Sequence, residues 1–482
     1  MRNTPLFPAW RGQWRPPPSR RVTAAYTSLV HCTLARLETR FGAIFDGIAA
    51  LRADRASARE RPYSIRRTFW GLLWQMTGGH CSCQAVVQQF QALLALAARP
   101  AISDRTGGYC SARARLPLAV LTSALSASAA VADHRAATLT TALRGRPLKL
   151  LDGTTLTLPD TPKNRKDYPQ PSSQKPGCGF PLLHLLVVGS GTSGAVLQYA
   201  EGDHHHGEMR LLHQLLPTLN PKDIVVYDRA AGNFVAATLL HTHRVDLISR
   251  VSGRAVDWRR GRRLGRHERR VTWRKGRQRP PYLDEKQWTA LPDEIDLRLV
   301  RVAVKQRGFR TRVLCLMTTL LDPAAYPAAE IAAAYLRRWR LEMCLDDLKT
   351  TLGLDALRAQ TPATVRSELL GMLITHNLVR VTMAEVARAH AVPLERLSFT
   401  ATLHALTTFS AAAAQASRPA QIRRIWAQML HSLAASLVPW RPDRWEPRAR
   451  KRRPKNYPWL TSPRHHFRDR RHGTYFRRPK KT

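Results

Sequence analysis

The chain has 482 residues and carries 77 Lys and Arg against 34 Asp and Glu, a formal net charge of +43 with a pI near 11.4. Its length exceeds one compact core, so two or three domains are expected, and a positive excess this large cannot be balanced internally: it implies a polyanionic partner, nucleic acid first. There is no run of eighteen apolar residues, no apolar signal-peptide region in the basic N-terminus, and no C-x-x-C among seven scattered cysteines; a membrane span, a disulfide framework and a zinc ribbon are disfavoured, and a cytoplasmic protein is expected.

Residues 1–22, rich in Arg and Pro, read as a disordered basic arm. Ser64 and Ser82 can each cap a helix with apolar residues at helical spacing, Ile65 to Met76 and Val86 to Ala97, separated by Thr77-Gly78-Gly79. The pair fits a helical hairpin or a helix-turn-helix. A further helix is expected from Leu118 to Leu143. From Pro147 the period changes to two: Leu148, Leu150, Leu156 and Leu158 mark a strand, and Leu182–Val188 with Ala195–Tyr199 mark a hairpin around Gly189-Ser190-Gly191-Thr192-Ser193-Gly194. A helix near 208–216, a buried strand Ile224–Tyr227, a helix near 233–243 and a strand Val245–Val251 follow, which indicates a mixed sheet covered by helices.

Residues 252–326 interrupt that order with an Arg-crowded, β-rich stretch containing Arg270-Val271-Thr272-Trp273 and a hairpin of Leu297–Val304 with Thr311–Leu316. Helix resumes over Ala328–Thr351, Pro362–His390 and Ser398–Leu437. From Arg441 onward, sixteen basic and three acidic residues make a basic tail.

The run Tyr335 to Lys349 has no Gly or Pro, and at about 100° per residue Tyr335, Arg338, Glu342 and Lys349 fall on one narrow helical face. A phenol, an acid and two cations on one stripe suit a surface holding a metal beside a phosphate backbone. An i,i+4 pair such as Arg338 and Glu342 is also common solvated decoration, so partner carboxylates decide. Asp152 lies in a strand among leucines, where an unpaired carboxylate is unfavourable without a cation or donors. Asp228 ends a buried strand, where open α/β sheets place ligand sites, although it can equally cap the helix that follows. Three such carboxylates form a hard-oxygen site suited to Mg²⁺. Asp346, one turn beyond Glu342, is the substitute third acid. The Asp203-His204-His205-His206 run reads as a loop, and Trp258, Trp273 and Trp288 read as packing residues or stacking platforms.

Leu151-Asp152-Gly153-Thr154, Val226-Tyr227-Asp228-Arg229 and Tyr335-x2-Arg338-x3-Glu342-x6-Lys349 together resemble the three blocks of bacterial insertion-sequence DDE transposases. The last block resembles, at every spacing, the Y-R-E-K signature of the insertion-sequence-four family. The resemblance spans roughly residues 60 to 460 and implies an RNase H-like α/β core interrupted by a β-rich insertion. It implies seven parts: a basic arm (1–22), a helical DNA-binding region (23–145), the core (146–251 and 327–392) with the insertion between (252–326), a helical C-terminal region (393–440) and a basic tail (441–482). It further implies that Asp152, Asp228 and Glu342 bind Mg²⁺, with Mn²⁺ as substitute, and that Tyr335, Arg338 and Lys349 hold double-stranded DNA. The expected activity is cleavage at the element's terminal inverted repeats and transfer of the 3′ hydroxyl to target DNA, by a homodimer on DNA in the bacterial cytoplasm, with the nucleoid and without a membrane partner. Two other readings stay open, a different RNase H-like nuclease and a catalytically silent DNA-binding protein derived from a transposase.

Overall fold

The computed structural model describes residues 37–439 except 53–61, 79–80, 97–100, 140–142, 253–256, 304–312 and 417, together with residues 460, 462, 463 and 466. The arm expected at 1–22 and nearly all of the tail expected from 441 lie outside the described residues.

Nine strands form one mixed sheet: β1 Leu148–Thr157, β2 Leu182–Ser190, β3 Val196–Gly202, β4 Ile224–Tyr227, β5 Asp246–Arg250, β6 Arg262–Gly265, β7 Glu268–Arg274, β8 Glu294–Ala303 and β9 Val313–Thr318. Their order is β3-β2-β1-β4-β5-β9-β8-β7-β6. The β1–β4 and β4–β5 pairs are parallel and every other pair is antiparallel. The central strand β4 is four consecutive apolar residues, all buried, as a parallel strand covered on both faces requires. The basic stretch after β5 is thus a continuation of the same sheet: β9 pairs with β5 through Ile248, Ser249 and Arg250.

Helices cover both faces. On one lie α1 Ile65–Thr77, α2 Cys83–Leu96, α3 Gly107–Arg115 and α4 Leu118–Ala136, then, after a short α5 (Pro162–Asp167), the later helices described below. On the other lie α6 Glu208–Leu215, α7 Phe234–Thr242 and α8 Glu285–Ala290. The serine caps are in place: Ser64 accepts from Arg67 N–H at 3.2 Å and Ser82 from Ala85 N–H at 3.2 Å. The helix expected to run to Leu143 ends at Ala136. Among the described residues no single helix is long and apolar enough to cross a membrane; only the bent pair α3–α4 has the length and composition, and α4 buries Leu121, Ala124, Leu125, Ala129 and Ala132 within the protein.

The helix expected over Ala328–Thr351 is broken. α9 spans Ala328–Leu336, α10 spans Arg338–Asp346, and Asp347–Thr351 form a π turn. Burial explains the break. On one continuous wheel of about 100° per residue, Ile331, Ala334 and Tyr335 point near 320°, 260° and 0°, but Leu341, Cys344 and Leu345 near 240°, 180° and 280°, so the buried direction shifts by about 80° across the break at Arg337.

α11, Pro362–His390, has the bounds its sequence suggests, with Thr361 as N-cap and Pro362 in the first turn. The stretch expected as one helix from Ser398 to Leu437 is two, α12 Phe399–Ala414 and α13 Pro419–Ala435. Pro419 lacks the N–H an internal helical position needs and instead starts the second helix. α11 is the central strut: it packs on α1 and α4 from the N-terminal region and on α12 and α13. Asn377 on α11 locks the sheet to it, accepting from Val196 N–H and donating to Val196 C=O, each at 2.8 Å, while its amide also reaches Ser128 Oγ on α4 at 3.3 Å.

Candidate active site

The two aspartates are placed by strand ends. β1 bonds to β4 only through Leu148, Lys149 and Leu150, so Asp152 lies on the part of β1 that runs past the end of β4, and Asp228 emerges directly after Tyr227. Asp228 is fixed locally: its Oδ1 accepts from Ala230 N–H at 2.7 Å, and its C=O accepts from Ser249 Oγ at 2.6 Å. It caps a 3-10 turn at Arg229–Ala231, while the helix that follows is capped by Asn233. Asp152 lies two residues beyond Leu150 and shares its face, the face covered by α10.

Glu342 arrives on α10, and the glycine-rich β2–β3 turn lets α10 approach closely. A Cβ on Gly189 would lie 2.6 Å from Leu341 Cδ1. The Cys344 thiol donates to Gly194 C=O at 3.4 Å, and Arg340 donates to Gly191 C=O at 3.3 Å. Arg338 then bridges the acids: it forms an ion pair with Glu342, and its Nη1 lies 3.7 Å from Asp152 Oδ2. Its buried Nε has no hydrogen-bond partner among the described residues. Tyr335 is buried, and the Arg338 cation acts on its hydroxyl.

The electrostatics follow. Burial pushes the Asp152 carboxyl up to about 6; the Arg338 cation opposes the rise, and Glu342 and Asp228 add to it. Five of the six residues singled out from sequence therefore meet: Asp152, Asp228, Glu342, Tyr335 and Arg338. Lys349, on the π turn, forms no ion pair with these acids among the described residues; its Nζ lies 3.9 Å from Asp355. Asp346 is exposed beyond the cluster.

Nothing in the linear pattern points to Glu208. This exposed first residue of α6 accepts from the Tyr227 hydroxyl at 3.0 Å, and its carboxylate sits where a Cβ on Gly153 would be, 2.5 Å from Oε1. It thus packs behind the residues adjoining both aspartates and supplies a steric reason for glycine after Asp152. The histidine run is a loop in which His206 pairs with Asp203 at 2.6 Å. Trp258, Trp273 and Trp288 pack, half-buried, against the α6–α7 side.

Residues 143–378, which hold all six of these positions, match the family model for a transposase DDE domain. Over 324 residues, 65% of this chain and 70% of the relative, the chain is 26% identical to the transposase InsG for insertion sequence element IS4 of Escherichia coli strain K12. Together these matches support a DDE transposase of the IS4 family. They support a role in transposition of an insertion sequence, and the family implies a polynucleotidyl transferase or endonuclease activity. The chain is also similar to a piggyBac transposase solved as a synaptic complex with hairpin DNA, covering 85% of this chain and 84% of that one at 9% identity and a TM-score of 0.38.

DDE transposases generally use divalent metals. The donors here suit such an ion: three carboxylates, hard oxygen ligands whose like charges already act on one another at Asp152. Among the described residues no three His, Cys, Asp or Glu side chains are gathered tightly enough to hold a metal, since a guanidinium stands between Asp152 and Glu342.

Proposed function

We propose that this transposase binds the terminal inverted repeats of its element, hydrolyses the strand at each end to free a 3′ hydroxyl, and joins that hydroxyl to target DNA. The observation that carries this is that Glu342 and Asp228 both act on the Asp152 carboxyl, while Arg338 pairs with Asp152 and Glu342, beside the ends of β1 and β4. The order β3-β2-β1-β4-β5, antiparallel then parallel, supports an RNase H-like core, with β6 to β9 as its insertion between 252 and 326. The other boundaries read from sequence are retained on the same footing.

In this mechanism Asp152, Asp228 and Glu342 would hold Mg²⁺, which Mn²⁺ could replace. Bound there, such ions would supply Lewis acidity to an attacking oxygen and positive charge to the phosphodiester. Asp228 is kept in place by its own turn and by Ser249. Arg338 neutralises the acids until they are loaded, then turns its fork to a backbone phosphate, steadied by Tyr335, with Lys349 adding charge after release from Asp355. Two ends must be cut together, so the working form is a homodimer on DNA, in the cytoplasm with the nucleoid and away from membrane.

The test is a duplex joining the element's terminal repeat to flanking DNA, incubated with Mg²⁺. Wild-type protein is expected to nick at the boundary and join the 3′ end to a second DNA, while Glu342→Gln binds with unchanged affinity and does neither. Cleavage without joining would assign a nuclease, and binding without cleavage a silent DNA-binding protein.

A further inference from the structure

The β6–β7 hairpin ends the sheet farthest from β3, and its arginines are arranged in a way that an isolated protein does not favour. Arg262 stands opposite Arg270, and Arg263 opposite Arg269, so like charges face each other across an edge hairpin. Such pairs destabilise a sheet unless something answers them. Arg270 is answered by Asp296 at 2.6 Å, as Arg298 on β8 is by Glu268 at 2.5 Å. Arg263, Arg266 and Arg269 have no carboxylate partner among the described residues, and Arg263 and Arg266 are exposed.

Register aligns this hairpin with the catalytic edge. Arg250, one strand over from Asp228, pairs with Leu316; Leu316 pairs with Val300; Val300 pairs with Glu268, which opens on the Arg266–His267 turn. Arg301, next to Val300, donates its N–H to His267 C=O at 2.9 Å. Arg250 and Arg301 also lack carboxylate partners among the described residues, and both act on the buried Cys315 thiol between them. Arg250 acts on Tyr335 as well, which ties the near end of the row to the acids. Uncompensated cations thus border one rim of the sheet from the catalytic carboxylates to the hairpin tip, Arg250 on the face of Leu316 and Arg263 and Arg269 on the opposite face, that of Leu299.

We propose that the β6–β7 hairpin, through Arg263, Arg266 and Arg269, grips the backbone of the same DNA duplex whose scissile bond lies at Asp152, Asp228 and Glu342, about six to eight base pairs from the cut. The proposal rests on the transposase mechanism above. The separation follows from geometry: four to six strand spacings of about 4.8 Å give about 19 to 29 Å, and a duplex rises about 3.4 Å per base pair. Both the element's end and the flanking or target DNA present this backbone.

Three measurements test it. Binding of a random-sequence 30-bp duplex is measured against salt for wild type, for Arg263→Ala/Arg266→Ala/Arg269→Ala and for the same three positions changed to Lys. Each phosphate that the protein no longer neutralises lowers the slope of log affinity against log salt by about 0.9, so the Ala variant is expected to lose about two to three units and the Lys variant to keep them. Hydroxyl-radical footprinting of wild type on a 50-bp duplex centred on the junction of terminal repeat and flank needs no variant. Protection six to eight base pairs from the junction is expected, and its side says whether element or flank is gripped. Unchanged slope in a folded Ala variant, loss of slope in the Lys variant, or no protection in that interval on either side would overturn the hairpin grip. Wild-type cleavage of the same junction is scored separately, so failure of the transposase mechanism is distinguishable.

Discussion

At Asp152 the raised pKa translates into a stability prediction with a definite sign. An unfolded Asp titrates near 3.9, whereas here burial holds the carboxyl at about 6, so between those values the folded chain binds the extra proton and stability falls as pH rises through that window. Asp152→Asn, which cannot ionise, should therefore stabilise the metal-free protein at pH 7.5 by up to about 3 kcal/mol, an advantage that shrinks below pH 6 and is gone near pH 4. Urea titrations in EDTA across pH 4 to 8 measure this; an offset that does not change with pH would contradict it. Arg338 is the opposite case. Arg338→Ala leaves Asp152 and Glu342 without their cation, and the metal-free protein should lose about 1 to 3 kcal/mol. Mg²⁺ should raise the thermal midpoint of this variant more than that of wild type, because the ion then supplies the missing charge, and equal shifts in the two proteins would show that Arg338 is not holding the ion's place.

At the scale of elements, the position of Glu342 depends on glycine in a strand that does not contain it. Gly189→Ala drives a methyl against Leu341, which is buried and cannot swing away, and should cost about 1 to 3 kcal/mol. The displaced α10 should cut slowly while DNA affinity is kept, a split seen by comparing cleavage rate with binding. What could be read from the chain follows the same division. Ser64 and Ser82 as caps, the span of α11, β4 and the glycine turn between β2 and β3 were legible because each is set by local pattern: capping oxygens, period and turn residues. The break at Arg337, the π turn that carries Lys349, and Glu208 behind Gly153 were not. Each is decided by which surface a segment meets in the folded protein, and continuous helix propensity from Ala328 to Thr351 conceals a change of about 80° in the direction of burial.

For the whole molecule, the N-terminal helices and the DDE segment share one core. Leu72 of α1 lies 3.0 Å from where a Cβ on Gly371 of α11 would be, and α4 covers the adjoining face. A fragment of residues 143–378 alone would expose that face of α11, and it should aggregate or lack cooperative unfolding in gel filtration and thermal melts. A sharply melting monomer would show that the two regions are separable. Charge acts at this scale too. With a net +43, affinity for random duplex should fall by at least about 10³-fold between 50 and 200 mM salt.

An open nine-stranded sheet has two free borders, and each invites a second copy to add a strand. At β3 the Asn377 amide occupies the outward backbone of Val196. At β6, among the described residues, Arg263 Nε donates to Gly265 C=O at 3.4 Å and arginines face arginines across the hairpin, which should repel a second copy. On this reasoning the guanidinium groups proposed to meet a polyanion should also oppose edge-to-edge growth of the free protein. Colloidal stability and substrate affinity are therefore coupled through one hairpin, and neutralising it should make the free protein stickier toward itself as it becomes looser on DNA, whereas lysine replacements should preserve both.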